Sequence, residues 1–405
     1  MKNDSPGWWP LLTTNFLGVF NDNYLKTLAC FIAVAWVGTR YEGPLVSLAA
    51  GLLVIPYVFI SPLAGRWAVV YNKIKVVRIA KAAEIPIMLL ASIGFLTKSV
   101  WLVMVSILLM GVQSCLFSPS KYGLIRDIGG AEKIAYGTGN MEMVSFLGMI
   151  LGTMLASFFA GTVPAIGLSA TFLFIAVTGL FTSYKINATE PVVEESTETI
   201  RPFLFLYQSV KKARSYPGLN RVIIALSVFW FVAGMIQMTL LVYCRRNLQM
   251  TDFQTGLVLT AAAVGTGAGC YLSGIVSGKW DNRIAVPLCS LGITFSFLSV
   301  FFFPVKGLWF GILFFITGIL CGLYKVPFDA AIIAKVPGRR LGPMLAYANQ
   351  MSFLFILAAS GVFAILTKNG NTHGIFLFLG VLMALTTLFV IFSKYLWSPN
   401  KNYEI

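Results

Sequence analysis

Long apolar runs, broken by short clusters of Gly, Pro and charge, cover most of this chain. The runs are about 20 residues long and do not alternate in polarity, so they read as membrane-crossing helices rather than barrel strands. The pattern predicts spans at about 9–37, 44–70, 76–97, 101–127, 135–161 and 164–186, and again at about 219–246, 253–280, 284–304, 307–334, 340–367 and 373–397. Between the two sets lies a polar stretch, roughly 187–217, holding Glu190, Glu194, Glu195, Glu198, Lys211, Lys212 and Arg214. The expected fold is an all-α polytopic membrane protein with twelve transmembrane helices. It divides into a first half at 1–186, a linker at 187–217 and a second half at 218–405.

Composition supports this reading. The chain is 58% hydrophobic and 11% charged, against roughly 25% charged in soluble domains. The net charge of +15 does not point to nucleic acid, because the basic residues fall in every second loop. Arg66, Lys73, Lys75 and Arg78 follow span 2, Lys279 and Arg283 follow span 8, and Arg339 and Arg340 precede span 11. That bias puts both termini and the linker on the cytoplasmic side. Met1 to Gly7 runs into span 1 with no small-residue cleavage site, so span 1 is expected to be retained.

Enzymatic chemistry finds little support. The six cysteines stand singly in apolar runs and His373 is the only histidine, so no metal centre or cofactor is expected. An acyltransferase would want an acid five residues after its histidine, and Phe378 stands there. Gly265-Thr-Gly-Ala-Gly269 lies inside a span, where close helix packing explains it better than a nucleotide loop.

The halves repeat at an offset of about 209. Pro62-Leu-Ala-Gly65 falls on Tyr271-Leu-Ser-Gly274, Asn72-Lys73 on Asp281-Asn282, and Asn140 on Asn349. Pro119 and Pro327 match within one residue. The segment Gly274-Ile-Val-Ser-Gly278-Lys-Trp-Asp281-Asn-Arg283 resembles the Gly-x-x-x-Asp-Arg loop signature of the major facilitator superfamily. Gly65-Arg66-Trp-Ala-Val-Val-Tyr-Asn72-Lys73 resembles it more loosely, with Asn72 in the place of the acid. In that superfamily these loops form a cytoplasmic latch, which makes Gly65, Arg66, Gly274, Gly278, Asp281 and Arg283 candidate latch residues. Ordinary positive-inside charge is the plainer alternative.

Several charges lie where loops do not explain them. Asp22 is some 13 residues into span 1, about 20 Å along a helix and near the bilayer midplane. An acid there needs a partner, water or a role. Lys26, one turn on, is a candidate partner, and both could instead line a watery cavity. Lys121 follows Pro119 in span 4, where it either faces a cavity or snorkels. Glu142 lies in the first turns of span 5, interfacial or cavity-facing, and Lys325 and Asp329 sit one turn apart in span 10 as a structural pair. Arg245 and Arg246 anchor the end of span 7 or meet a phosphate. A set of mixed sign suits a zwitterionic or phosphate-bearing head group.

Three stretches carry a closer resemblance: Phe20-Asn-Asp22-Asn23, Ser118-Pro-Ser-Lys121-Tyr-Gly123 continuing to Asn140-Met-Glu142, and Val326-Pro327-Phe-Asp329 with Asn349-Gln350. With these the chain resembles the bacterial lysophospholipid transporter branch of the superfamily. The resemblance implies inward movement of lysophospholipids across the bacterial inner membrane by alternating access, with head-group roles for Asp22, Lys121 and Glu142. It also implies a functional link to an acyltransferase. The full candidate substrate set is Asn21, Asp22, Asn23, Lys26, Lys121, Tyr122, Glu142, Gln237, Lys325 and Asp329. The chain departs from the family at Gln237, where members can carry an arginine, near Phe353, where an acid is expected, and at Lys325 and Asp329, charges the resemblance does not lead one to expect. The alternative is a proton- or sodium-coupled transporter of another amphiphile. The expected molecule is a monomer that works without cofactor, metal or nucleic acid.

Overall fold

The structure, a computed structural model, describes residues 7–33, 36, 42–160, 162–193, 195, 199–277, 280–367, 372–393 and 396–397. Among these residues every regular element is helical. The first half of the sequence supplies α1 (Trp8–Leu28, continued by a π turn at Ala29–Ala33), α2 (Glu42–Phe59), α3 (Ser61–Val70), α4 (Lys73–Leu96), α5 (Val100–Gly129), α6 (Ile134–Phe159) and α7 (Ala165–Tyr184). A short helix, α8 (Pro202–Ala213), occupies the linker. The second half supplies α9 (Leu219–Arg246), α10 (Asp252–Val276), α11 (Asn282–Phe302), α12 (Leu308–Lys335), α13 (Leu341–Thr367, entered through a 3-10 turn at Gly338–Arg340) and α14 (Gly374–Phe392).

The predicted spans and these helices agree to within a few residues, and the expected end of span 1 beyond Ala33 lies mostly outside the described residues. By length and apolarity, ten described helices can each cross a membrane, and α2 with α3 forms an eleventh as a pair bent by 53°. The remaining expected span, α1, is 21 residues long, but Asn15, Asn21, Asp22, Asn23 and Lys26 lower its apolarity. The bend between α2 and α3 has a backbone cause. Pro62 has no N–H to give to the carbonyl of Val58, so that acceptor is freed inside the helix. Gln350 Nε2 fills it from α13 at 2.8 Å.

Contacts divide the chain into two compact units. The first comprises Met1–Lys133, Leu147–Ser209 and Pro337–Gln350, and the second Ile134–Phe146, Val210–Val336 and Met351–Ile405. Each unit thus takes in the opening turns of one helix from the other half of the sequence.

In the first unit, α4 packs chiefly on α5 and α7. Its apolar core gathers around Phe172, with the Tyr24 ring at 5.1 Å and the Phe95 ring at 5.8 Å. The start of α13 lies against α3 so closely that a Cβ on Gly65 would come within 2.9 Å of Ala346 Cβ, and one on Gly342 within 2.6 Å of Ala68 Cβ. Arg339, buried just before α13, gathers three segments. It donates to the carbonyls of Tyr71 (2.9 Å), Pro191 (3.0 Å, from Nε) and Val192 (3.2 Å), and to the Asn72 side chain (3.2 Å). Glu190 lies 3.5 Å from the same guanidinium and also accepts from the backbone N–H groups of Lys73 and Ile74, capping α4 from a distance. Asp281, opposite Asn72 in the repeat, caps α11 locally through the N–H of Arg283 at 2.9 Å.

In the second unit, α10 and α12 form the most intimate pair. A Cβ on Gly265 or Gly269 would fall 2.2 or 2.1 Å from the carbonyl oxygens of Phe315 and Ile319, and one on Gly318 would fall 2.3 Å from that of Ala262. This is the packing role expected for the Gly265–Gly269 run. The start of α6 crosses α10 at Gly139 and Gly274, where a Cβ on Gly139 would lie 2.7 Å from Gly274 Cα. His373 is stacked between Tyr243 and Phe301 and bonds the Phe301 carbonyl at 2.9 Å, a packing role.

Because only backbone meets the added group, Gly269→Val forces α10 and α12 apart. The expected cost is about 1–3 kcal/mol or more, read as a fall in Tm of the purified protein in detergent. Gly256→Ala, at a glycine with open space around it, is the control.

Candidate functional site

The polar residues of the first unit form a layer across α1, α4 and α5. Asn21 Nδ2 donates to Glu84 Oε1 at 2.7 Å, and Lys81 Nζ donates to Glu84 Oε2 at 2.7 Å. Both charged side chains are 0% exposed. Room for the Lys81 ammonium comes from Gly18 on α1, where a Cβ would lie 2.8 Å from Nζ, while Gly179 on α7 lines the same space at ordinary contact distance. Sequence reasoning passed over Lys81 and Glu84. The signal was there, as opposite charges three residues apart inside span 3.

Asp22 sits beside this pair. Ser114 Oγ donates to Asp22 Oδ2 at 2.8 Å and stands 3.1 Å from Gln113 Oε1, its alternative acceptor. The pairing of Asp22 with Lys26 that their spacing allows is not made. Lys26 Nζ donates instead to Asn23 Oδ1 at 3.1 Å, because the Asp22 carboxylate is turned across to α5. Asn23 is further held within α1, donating to the Val19 carbonyl at 2.8 Å. Buried Asp22 Oδ1 and Asn21 Oδ1 each lack a donor among the described residues.

Lys121 does not snorkel. It is buried, donates to Asn15 Oδ1 at 2.8 Å, and lies 5.2 Å from the ring centres of both Phe117 and Tyr122. The lysine thus has a hydrogen-bonding end and an aromatic wall, a common seat for a desolvated ammonium. The charged groups acting on Asp22 are Glu84, Lys81 and Lys121, so the layer carries two acids and two bases. Gln113 also lines an open apolar groove of about 530 Å³ walled by residues such as Trp67, Ile87, Leu109 and Leu116. Polar layer and groove meet at that side chain.

In the second unit Lys325 Nζ holds two acids at once, Glu142 Oε2 and Asp329 Oδ2, each at 2.7 Å. The ammonium also lies 5.3 Å from the Trp230 ring centre. Spacing predicted the Asp329 pair. Glu142 joins it from the start of α6, a tertiary contact that spacing does not reveal. Gln237 is exposed on α9 and takes no part in this triad. Of the candidate latch residues, Gly65 and Gly274 are the close-contact glycines described above and Asp281 is the α11 cap, while Arg66 and Arg283 are exposed. Gly278 lies outside the described residues.

The sequence profile of the Major Facilitator Superfamily matches residues 14–354 and 223–404. The chain belongs to this superfamily. Curated relatives named lysophospholipid transporter LplT include that of Yersinia enterocolitica, 24% identical and covering 90% of this chain and 88% of its own. That of Enterobacter sp. is 23% identical and covers 98% and 97%. Superfamily architecture also appears in solved structures. The human organic anion transporter MFSD10 (TETRAN) superposes with a TM-score of 0.77 at 15% identity, covering 96% of this chain and all (100%) of that one. The E. coli fucose:proton symporter FucP does so with 0.77 at 12%, covering 95% and 98%. These likenesses establish a multi-pass membrane transporter fold.

The closed Lys81–Glu84 pair makes a sharp expectation about stability. Glu84→Ala leaves a buried ammonium without its counter-ion, at a cost of about 3–5 kcal/mol. The double variant Lys81→Met/Glu84→Leu removes both charges and is expected to lose far less. Thermal unfolding of the single and double variants in detergent measures the difference.

Proposed function

We propose that this transporter moves lysophospholipids, such as lysophosphatidylethanolamine, towards the cytoplasmic leaflet of the bacterial inner membrane. The observation that carries the reading is the layer of the first unit. A carboxylate with one oxygen lacking a protein donor, Asp22 Oδ1, lies within the electrostatic reach of a buried ammonium, Lys121. A zwitterionic head group offers the complementary pair, an ammonium for the acid and a phosphate for the lysine. The apolar groove that meets the layer at Gln113 suits the single acyl chain of such a lipid. The curated relatives with the lysophospholipid transporter name support the same substrate class.

On this reading Asp22 and Lys121 bind the head group, with Tyr122 and Asn15 shaping the lysine. Asn21, Asn23 and Lys26 set the local geometry of α1. Lys325, Glu142 and Asp329 act as a group. The halves at 1–186 and 218–405 rock about the linker with both termini cytoplasmic, and the segments running from Gly65 and Gly274 into the loops that follow latch the cycle. An acyltransferase takes the delivered lysolipid, and one chain suffices for transport.

Proteoliposomes test this directly. Fluorescent lysophosphatidylethanolamine is expected to cross faster with the protein present, while a diacyl control does not. Equal rates for the two lipids would overturn the proposal. Asp22→Asn is expected to slow the flux at least about tenfold, as fits the loss of one charge-assisted hydrogen bond of about 1.5–3 kcal/mol, with its Tm kept near that of wild type.

A further inference from the structure

Along α4, Lys75, Ile79, Ala83, Pro86 and Leu90 share one face at helical spacing. The last four line the apolar groove of about 530 Å³ that α4 forms with α5. Ile79 to Leu90 covers about 16 Å at 1.5 Å per residue, close to one leaflet of a hydrocarbon core about 30 Å thick. The stripe changes character at its start, where Lys75, one turn ahead of Ile79, is exposed. This mouth lies on the linker's side, because Glu190 of the linker accepts from the N–H groups of Lys73 and Ile74 just before it.

A ladder of side chains connects the Lys75 ammonium to the groove. Lys75 Nζ lies 5.8 Å from the Tyr71 ring centre, and the Tyr71 ring meets the Trp67 ring edge-on at 5.9 Å. Trp67 in turn lines the groove. Tyr71 is held through its backbone, its N–H bonded to the Trp67 carbonyl at 3.0 Å and its carbonyl to the buried Arg339 at 2.9 Å. Cation, amphipathic ring and apolar trough thus follow one another as phosphate, glycerol and acyl chain do in a phospholipid.

The second half of the sequence shows what the scaffold supplies without the lysine. A groove of about 470 Å³ lies between α11 and α12, and Trp280, Asp281, Ile284 and Leu288 are among the residues that line it. At the offset of 209, Trp280 stands for Tyr71 and Ile284 for Lys75, while Arg283 falls at the place of Ile74, off that stripe. The trough therefore belongs to the repeat. The ammonium one turn ahead of it is particular to the first half, and it gives that trough a mouth suited to phosphate.

We propose that Lys75 and Tyr71 form a second head-group station, where a phospholipid with a single acyl chain rests its phosphate on Lys75 and lays its chain in the α4–α5 groove. The station rests on the lysolipid reading and extends it, being the place from which delivered lipid passes into the leaflet on the linker's side. One chain suits a cleft of this volume. Phosphate is the group recognised here, so the lipid's amine matters at Asp22 and not at Lys75.

Full-length protein in phosphatidylcholine nanodiscs is titrated with lysophosphatidylethanolamine brominated on its acyl chain, and tryptophan quenching is read. Quenching is expected to saturate, and Trp67→Phe is expected to reduce the saturable component, since bromine quenches on contact. Lys75→Gln, at an exposed position, is expected to raise the half-saturating concentration about fivefold, the effect of one basic residue near a membrane surface. Brominated lysophosphatidic acid, with phosphate but no amine, is expected to bind at least as tightly. Brominated monoacylglycerol, with no phosphate, is expected to bind about fivefold more weakly. Quenching that rises without saturating, or that a brominated diacyl phosphatidylcholine reproduces, would mean ordinary bilayer contact and overturn the proposal. So would a saturable component of full size in Trp67→Phe, or an affinity that Lys75→Gln leaves unchanged. The titration measures binding without flux, so its outcome is separate from that of the proteoliposome test of transport.

Discussion

A charge carried into hydrocarbon must find a counter-charge, a hydrogen bond or water, and the interior of this protein is organised by that requirement. Lys81 and Glu84 show it most plainly. Neither is exposed at all, and each holds the other at 2.7 Å, with Asn21 completing the carboxylate. The glycine at 18 belongs to the same account, since a Cβ there would come within 2.8 Å of the ammonium. Lys325 in the second unit follows the rule with two acids and an aromatic face. Against that background Asp22 stands apart. It is held by one hydroxyl, and one of its buried oxygens lacks a protein donor, a deficit worth about 1–3 kcal/mol. A ligand that brings a donor would return that energy on binding, which is why the proposed function assigns this carboxylate to the substrate.

The second constraint is the close approach of backbones where glycines replace side chains. Helix pairs in lipid gain little from burying apolar surface, so contact comes from small residues that let main chains meet. The α10–α12 crossing is the extreme case, but the crossings of α3 with the start of α13 and of α10 with the start of α6 carry more meaning. The repeat relates Gly65 to Gly274, and each receives the opening of a helix from the opposite half of the sequence. Repeat symmetry does not extend to the caps beside them. Asp281 caps α11 in place, whereas Asn72 is engaged by Arg339 and the cap of α4 comes from Glu190, well over a hundred residues away in sequence. Divergence between the halves has therefore been met by a linker residue doing what a local acid does in the other half.

Much of this architecture was legible in the chain. Span length and the basic loops follow from hydropathy and charge alone, and the Gly265–Gly269 run announced its packing role. The site was legible in part. Asp22, Lys121 and Lys325 stand out because a single charge in an apolar run is visible to anyone reading along it. What pairs with them is not, because partners come from other helices: Ser114 for Asp22, Asn15 for Lys121, Glu142 for Lys325. The Asp22–Lys26 pair failed for the same reason, since i,i+4 spacing permits a bond but a hydroxyl on α5 and an amide one turn back were better placed. Helix α8 was hidden in another way. Its apolar residues are too few for a span and its charges read as linker, so only the burial of its inner face reveals the helix.

The polar residues divide by how completely the protein satisfies them. Lys81, Glu84 and Lys325 have direct ionic partners within hydrogen-bonding distance, and their removal acts first on folding. Asp22 is buried beside them but incompletely partnered, so its replacement by an isosteric amide leaves packing nearly unchanged and removes only the charge. Lys121 is bonded to an amide and walled by two rings, so its ammonium is seated in a polar and aromatic setting. On the proposed reading, a head group bearing both signs complements these two residues at once, whereas a simple cation or anion answers only one of them. Discrimination among lipids is then, on that reading, a matter of matching the ammonium and phosphate of the substrate to one acid on α1 and one base on α5.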